Sequence, residues 1–169
     1  MSRKVIGITG YKNSGKTTLV ERLVRNLTAR GYRIATVKHA HHDFDIDHEG
    51  RDSYRHRAAG AQEVAIVSRH LWATIRTLEA ETEPRLAEVL AATGPADLVM
   101  VEGYKRDNYP KIEVRNLGLG HAPLDNSDGT VVAIAASGPI PGATVPVFSR
   151  DDVEAIGDFI VARMELEGK

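Results

Sequence analysis

The sequence predicts an α/β fold of three layers with a mostly parallel central sheet. Three observations carry that prediction. Short apolar strands alternate with amphipathic helical stretches, the pattern of parallel strands joined by crossover helices. The run Leu98-Val99-Met100-Val101 is apolar at every position, as a strand buried on both faces requires, and this places it at the centre of a sheet. A glycine-rich turn from Gly10 to Gly15 falls between the first strand and the first helix.

Each element follows from local pattern. Lys4 to Thr9 is a β-branched strand that Gly10 ends. Leu19, Val20, Leu23, Val24 and Leu27 recur at helical spacing, and Gly31 supplies the stop. Arg33 to Lys38 reads as a second strand, and His39 to Gly50 as a polar stretch without apolar period. Arg51 to Gly60 forms a short helix, after which Gln62 to Ser68 and Trp72 to Leu78 are neighbouring strands. Thr82 to Thr93 carries Leu86, Val89 and Leu90 on one helical face, closed by Gly94-Pro95. Lys111 to Arg115 and Thr130 to Ala135 are strands separated by a Gly/Asn/Asp-rich loop from Asn116 to Gly129. Pro139 to Gly142 turns the chain into a last strand, Val145 to Phe148. A final helix from Ser149 or Asp151 buries Val153, Ile156, Ile160, Val161 and Met164.

Composition narrows the function classes. The 169 residues are 42% hydrophobic and 27% charged, which suits one domain over residues 1–169 with a real core. Lys and Arg number 22 against 23 Asp and Glu, for a formal charge of −1, so neither bulk binding to nucleic acid nor to an anionic membrane is expected. Absence of cysteine excludes a disulfide framework, a thiolate metal site, an iron–sulfur cluster and a thiol nucleophile. The N-terminal apolar run is too short for a signal peptide or membrane span, which predicts a soluble cytoplasmic protein.

Gly10-Tyr11-Lys12-Asn13-Ser14-Gly15-Lys16-Thr17 satisfies G-x-x-x-x-G-K-[ST] without a gap. The spacing lets consecutive backbone N–H groups converge on a phosphate while the following helix adds the positive end of its dipole. Lys16 then reaches the β- and γ-phosphates, and the Thr17 hydroxyl ligates Mg²⁺. A buried strand before the motif and an amphipathic helix after it supply the context it requires, so the fold is specified as a three-layer P-loop NTPase fold with a mostly parallel central sheet. Gly10, Lys12, Asn13, Ser14, Gly15, Lys16, Thr17 and Thr18 are the nucleotide-binding candidates; Lys12, at the third position of the loop, reads equally as a phosphate contact or a solvated side chain. Such a site needs a carboxylate at the tip of a central strand. Glu102, directly after Leu98 to Val101 and before Gly103, is placed there, whereas Asp97 at the strand's other end reads as a cap or turn residue.

Positions 38 to 57 hold five of the seven histidines. Lys38, Arg51, Arg55 and Arg57 face Asp43, Asp45, Asp47, Glu49 and Asp52, so the segment is a mixed cluster rather than a basic patch. In an extended segment Asp43, Asp45 and Asp47 would share one side and Phe44 and Ile46 the other. Three readings compete: a loop beside the γ-phosphate with an aspartate near the magnesium ion, a transition-metal site from His39, His41 and His42, and a solvated polar loop. Arg55 and Arg57 read either as a phosphate clamp or as surface charge.

Taken together, these segments resemble the MobB family of molybdopterin-guanine dinucleotide biosynthesis adaptor proteins. The resemblance runs through Gly10 to Leu19, Val37 to Asp47, Asp52 to Arg57 with Ala59 to Ala61, Asp97 to Lys105 and Pro110 to Val114. It implies a P-loop protein that binds GTP with Mg²⁺ and has at most weak GTPase activity. It also implies a homodimer and a partner, the MobA-type guanylyltransferase that joins GMP to molybdopterin. On this reading Lys16 and Glu102 are the catalytic residues, and Thr17, Glu102 and Asp47 the metal-binding ones. Guanine preference rests on the resemblance alone, because no N-K-x-D reader is present. Ala135 to Gly138 and Ser149 to Asp152 are the candidate base-binding ends; the chain reads Ala-Ala-Ser-Gly where many relatives end that strand in an acidic residue.

The expected chemistry is positioning and charge neutralisation. No Gln between positions 38 and 57 is available to orient water, so hydrolysis should be slow. Two alternatives belong to other classes. One is a small-molecule kinase, whose lid would have to come from the scattered Arg69, Arg76, Arg85 and Arg106; the other is a metallochaperone GTPase loaded through His39, His41 and His42.

Overall fold

A computed structural model describes residues 3–40, 46–78 and 83–168. The chain, read from sequence as one domain over residues 1–169, divides into two compact units, Met1–His39 with Leu86–Lys169, and Ala40–Arg85.

In the first unit, strands β1 (Val5–Thr9), β2 (Ile34–Lys38), β5 (Leu98–Glu102), β6 (Lys111–Arg115), β7 (Val131–Ala136) and β8 (Val147–Ser149) form one sheet in the order β2-β5-β1-β6-β7-β8. Every pairing in it is parallel, as expected. Helices α1 (Lys16–Ala29) and α4 (Val153–Arg163) pack on one face, and α3 (Leu86–Ala92) on the other. The period of two decides which side chain meets which layer. Leu98 and Met100 join Ile6, Ile8, Leu23, Leu27, Ile156 and Ile160 beneath α1 and α4, while Val99 and Val101 join Val5, Val37 and Leu86 beneath α3. The run 98–101 is therefore buried on both faces, although β5 lies next to the β2 edge rather than at the centre.

Local chemistry sets the boundaries. Gly31, at φ 91°, donates to Thr28 O at 2.9 Å and ends α1 as expected. Asp97 is the expected turn residue: its carboxylate accepts from Arg33 N at 2.7 Å and from Arg33 Nη2 at 2.8 Å, tying the starts of β2 and β5. Thr82, the expected start of the third helix, lies outside the described residues; α3 begins at Leu86, two residues after Pro84, which disfavours helical backbone in the residue before it. The loop 116–129 contains a short 3-10 turn, Leu117–Leu119, capped by the Asn116 side chain accepting from Gly118 N at 3.2 Å. Val153, Val161 and Met164, expected to be buried, are half-buried against the core, and Met164 lies just beyond α4.

The second unit holds α2 (Asp52–Ala58) and an antiparallel hairpin of β3 (Glu63–Val67) and β4 (Trp72–Arg76), paired from Glu63↔Arg76 to Val67↔Trp72. The helix is shorter than the expected span from Arg51 to Gly60 and has no fully buried residue. His41, His42, Asp43, Phe44 and Asp45 lie outside the described residues.

Candidate functional site

The site of the first unit begins at the C-terminal end of β1. Gly10, at φ 145°, opens the turn, and a Cβ there would lie 2.5 Å from Val114 O and 2.8 Å from Ser14 Oγ, so the position admits only glycine. Asn13 takes the left-handed conformation (φ 64°), which asparagine tolerates, and Gly15 follows at φ 100°. Gly15 is also the N-cap of α1, so the helix has no side-chain cap, and no acidic residue stands in its first turn. The first-turn N–H groups, which lack intrahelical partners, thus converge with the dipole on a place built for an anion. Ser14 Oγ and Thr9 Oγ1 are buried there without a hydrogen-bond partner.

Lys16 folds back along the loop and donates to Tyr11 O at 2.7 Å. Burial lowers its pKa, Glu102 opposes that, and Lys105 and Lys38 add to it. An ammonium in such surroundings gains from any anion that enters. Glu102 ends β5 beside Lys38, its register partner on β2. The Thr17 hydroxyl donates to Glu102 Oε1 at 3.2 Å and stands 3.4 Å from Oε2. Adjacent corners of a magnesium octahedron are about 2.9 Å apart, so this oxygen pair fits a shared divalent ion, directly or through its water. Thr18 and Lys12 are exposed at the loop, open to ligand and solvent alike.

The turn after Glu102 is rigidly built. Gly103 (φ 111°) packs against the His39 side chain, Tyr104 (φ 46°) stacks on the His39 ring at 4.5 Å, and the Tyr109 hydroxyl donates to Gly103 O at 2.9 Å. This packing stands directly behind Glu102, and no motif advertises it. His39, weighed as a metal ligand with His41 and His42, serves here as a packing surface. Among the described residues no group of three or more His, Asp or Glu is placed to hold a metal ion.

Asp47 belongs to the second unit. It is only 5% exposed, accepts from Ser53 Oγ at 2.8 Å and lies 3.9 Å from Arg57 Nε. Its carboxylate anchors the loop to α2. Arg57, weighed as a phosphate clamp, also stands 5.5 Å over the Tyr54 ring; Arg55 lies 3.8 Å from Asp52; and Arg76, weighed for a kinase lid, pairs with Glu63 at 2.7 Å.

Two features escaped sequence reasoning. Tyr11 of the loop stacks on His121 at 4.4 Å over a small cavity lined by Ser14, Glu113, Arg115 and Asn116. Glu113 is buried on β6, and burial raises its pKa despite the Leu124 N–H it accepts at 3.1 Å and the nearby Arg115. Alternation could have exposed the row, because Lys111, Glu113 and Arg115 fall on one side of a strand whose other residues, Ile112 and Val114, are core. Arg150, just past β8, donates to Ser14 O at 3.4 Å; it lay within the segment Ser149 to Asp152 without being singled out.

Comparison with known proteins fits this geometry. The family model described as Molybdopterin guanine dinucleotide synthesis protein B matches residues 5–137. A molybdopterin-guanine dinucleotide biosynthesis adapter protein of Escherichia coli (strain K12) is 36% identical over 165 residues, covering 95% of this chain and 93% of the relative. The protein of the same description from Haemophilus influenzae is 39% identical over 137 residues, covering 80% and 76%. Among solved structures, a MobB homologue from Bacillus stearothermophilus superposes with a TM-score of 0.69 at 29% identity, covering 96% of this chain and 99% of the other. A molybdopterin-guanine biosynthesis protein B gives 0.72 at 28% identity, covering 94% and 99%.

Proposed function

Because the chain belongs to the MobB family, we propose that it is an adapter of molybdopterin-guanine dinucleotide biosynthesis that binds GTP with Mg²⁺ and acts with a MobA-type guanylyltransferase in the cytoplasm. The adapter role follows the description its relatives carry. The observation that carries the nucleotide reading is the convergence of Lys16, Thr17 and Glu102 at the mouth of an uncapped helix.

In this reading the loop from Gly10 to Thr18 wraps the phosphates, with Lys12 and Asn13 at its exposed crest. Lys16 neutralises phosphate charge, and Thr17 and Glu102 hold the magnesium ion, which would supply further charge neutralisation at the phosphates. Asp47 stays a metal-facing candidate on the reading of its segment as a loop beside the γ-phosphate, with a carboxylate that also serves Ser53 and Arg57. No Gln between positions 38 and 57 is available to orient water, which supports slow hydrolysis and a binding or delivering role.

The homodimer reading is supported by the hairpin. Val67, at 70% exposure, and its register partner Trp72, at 78%, share one face beside the exposed Leu71 of the turn, while Ile66 opens on the other face. A lone two-stranded ribbon is marginally stable, and a contiguous exposed apolar patch marks a surface that meets protein.

Isothermal titration of Mg·GTP against Mg·ATP, alone and with the guanylyltransferase, tests the proposal. Tighter GTP binding that Lys16→Ala abolishes is expected. ATP preference would overturn the guanine assignment, and unchanged GTP affinity in Lys16→Ala would overturn the site.

A further inference from the structure

Beyond the phosphate loop, the C-terminal ends of β7 and β8 enclose a cleft of about 300 Å³ lined by Ala136, Ser137, Gly138, Pro139, Phe148 and Ser149. Arg150 links this cleft to the loop. Its backbone N–H donates to Ala136 O at 2.9 Å, at the cleft's wall, while its Nη1 donates to Ser14 O at 3.4 Å and lies 3.7 Å from where a Cβ on Gly15 would stand. Among the described residues no carboxylate forms an ion pair with Arg150, because the adjacent Asp151 is held by Arg22 at 2.9 Å.

The position separates two possible jobs. Glu102 and Lys38 stand on β5 and β2, on one side of β1, whereas the cleft stands on β7 and β8, two to three strands away on the other side. At about 4.8 Å per strand, that offset is on the order of 10–14 Å, suited to the sugar and base of a nucleotide whose phosphates sit at β1. A guanidinium is planar by its own delocalisation, the contact with Ser14 O keeps this one beside the loop, and such a plane is a stacking surface for an aromatic ring. No side-chain carboxylate lines the cleft to read a base edge.

We propose that Arg150 is the base platform of this site: the purine of the bound nucleotide packs on its guanidinium at the mouth of the β7–β8 cleft, and the contact with Ser14 O keeps that platform beside the phosphate loop. The inference rests on the nucleotide reading above. Stacking acts on any purine face, so Arg150 adds affinity without choosing between guanine and adenine.

The test compares Mg·GTP, Mg·ATP and Mg·tripolyphosphate binding by calorimetry in the wild type, Arg150→Ala and Arg150→Lys, with circular dichroism of each variant as the control for folding. Both variants should lose about tenfold in GTP and ATP affinity alike, the size of one base-stacking contact, and keep tripolyphosphate affinity. Lysine is expected not to rescue, since it restores the charge without the plane. An equal loss for tripolyphosphate would make Arg150 a phosphate ligand and overturn the proposal, as would a change in the GTP-to-ATP ratio or unchanged affinity for all three ligands. Failure of the nucleotide reading shows separately, as a wild type that binds none of them.

Discussion

Glycine at position 103 carries more than a turn. At φ 111° any side chain is strained, and a Cβ would run into the His39 side chain, so Gly103→Ala must displace either Glu102 or the His39–Tyr104 stack. Strain of this kind costs on the order of 1–3 kcal/mol. The expected outcome is weakened Mg·GTP binding with a smaller loss for GTP without magnesium, read by titration in the presence and absence of the metal; an equal loss would mean that Glu102 is not the residue displaced. Glu113 makes a pH prediction. Burial raises its carboxyl above the ordinary 4.5, so the folded state holds the proton more tightly than the unfolded one. The stability this contributes is complete below pH 4.5 and is lost as pH rises through the folded value. Glu113→Gln keeps an acceptor for the Leu124 N–H and never ionises. Its melting temperature should exceed that of the wild type at neutral pH, with the gain fading as pH falls through the raised folded value and gone below pH 4.5; a difference independent of pH would contradict the burial argument.

At the scale of elements, α1 joins the two halves of the argument. Its inner face, Leu19, Leu23 and Leu27, is packed against the sheet, and its N-terminus is left uncapped for a ligand. Leu23 is fully buried, so Leu23→Ala should cost about 2–5 kcal/mol in denaturant unfolding, the ordinary range for a leucine cavity. The hairpin is the contrary case. Val67 and Trp72 form its last register pair, and both are largely exposed. If this patch is the interface of the proposed homodimer, replacing them with serine should leave the fold intact and turn a dimeric wild type into a monomer in light scattering. A dimer that survives both changes would move the interface away from β3 and β4.

For the whole molecule, ligand and fold are linked. A nucleotide that binds only the folded state stabilises it by about 2.7 kcal/mol at a hundredfold excess over Kd. Mg·GTP should therefore raise the melting temperature of the wild type, and the rise should vanish in Lys16→Ala; a rise that persists in the variant would place the nucleotide elsewhere.

The residues of the proposed phosphate site are contiguous in this chain, and the physics of a glycine turn followed by a helix N-terminus is local, so the turn from Gly10 to Gly15 and the strand and helix around it were legible from the sequence. Glu102 was legible too, because an apolar run that stops at a carboxylate marks a buried strand's end. Local signals failed where a residue's role depends on distant partners. Nothing in Asp47 announces Ser53 and Arg57 as its neighbours; nothing near Gly103 announces His39; and Arg150 stands 136 residues from the Ser14 carbonyl it meets. The sequence by itself determined the fold class, the glycine turn between β1 and α1 and the carboxylate that ends β5, since each is written in short-range periodicity and spacing. The tertiary structure alone decided the support behind Glu102, the commitment of Asp47 and the place of Arg150, because parallel strands bring together ends that crossover connections keep far apart along the chain.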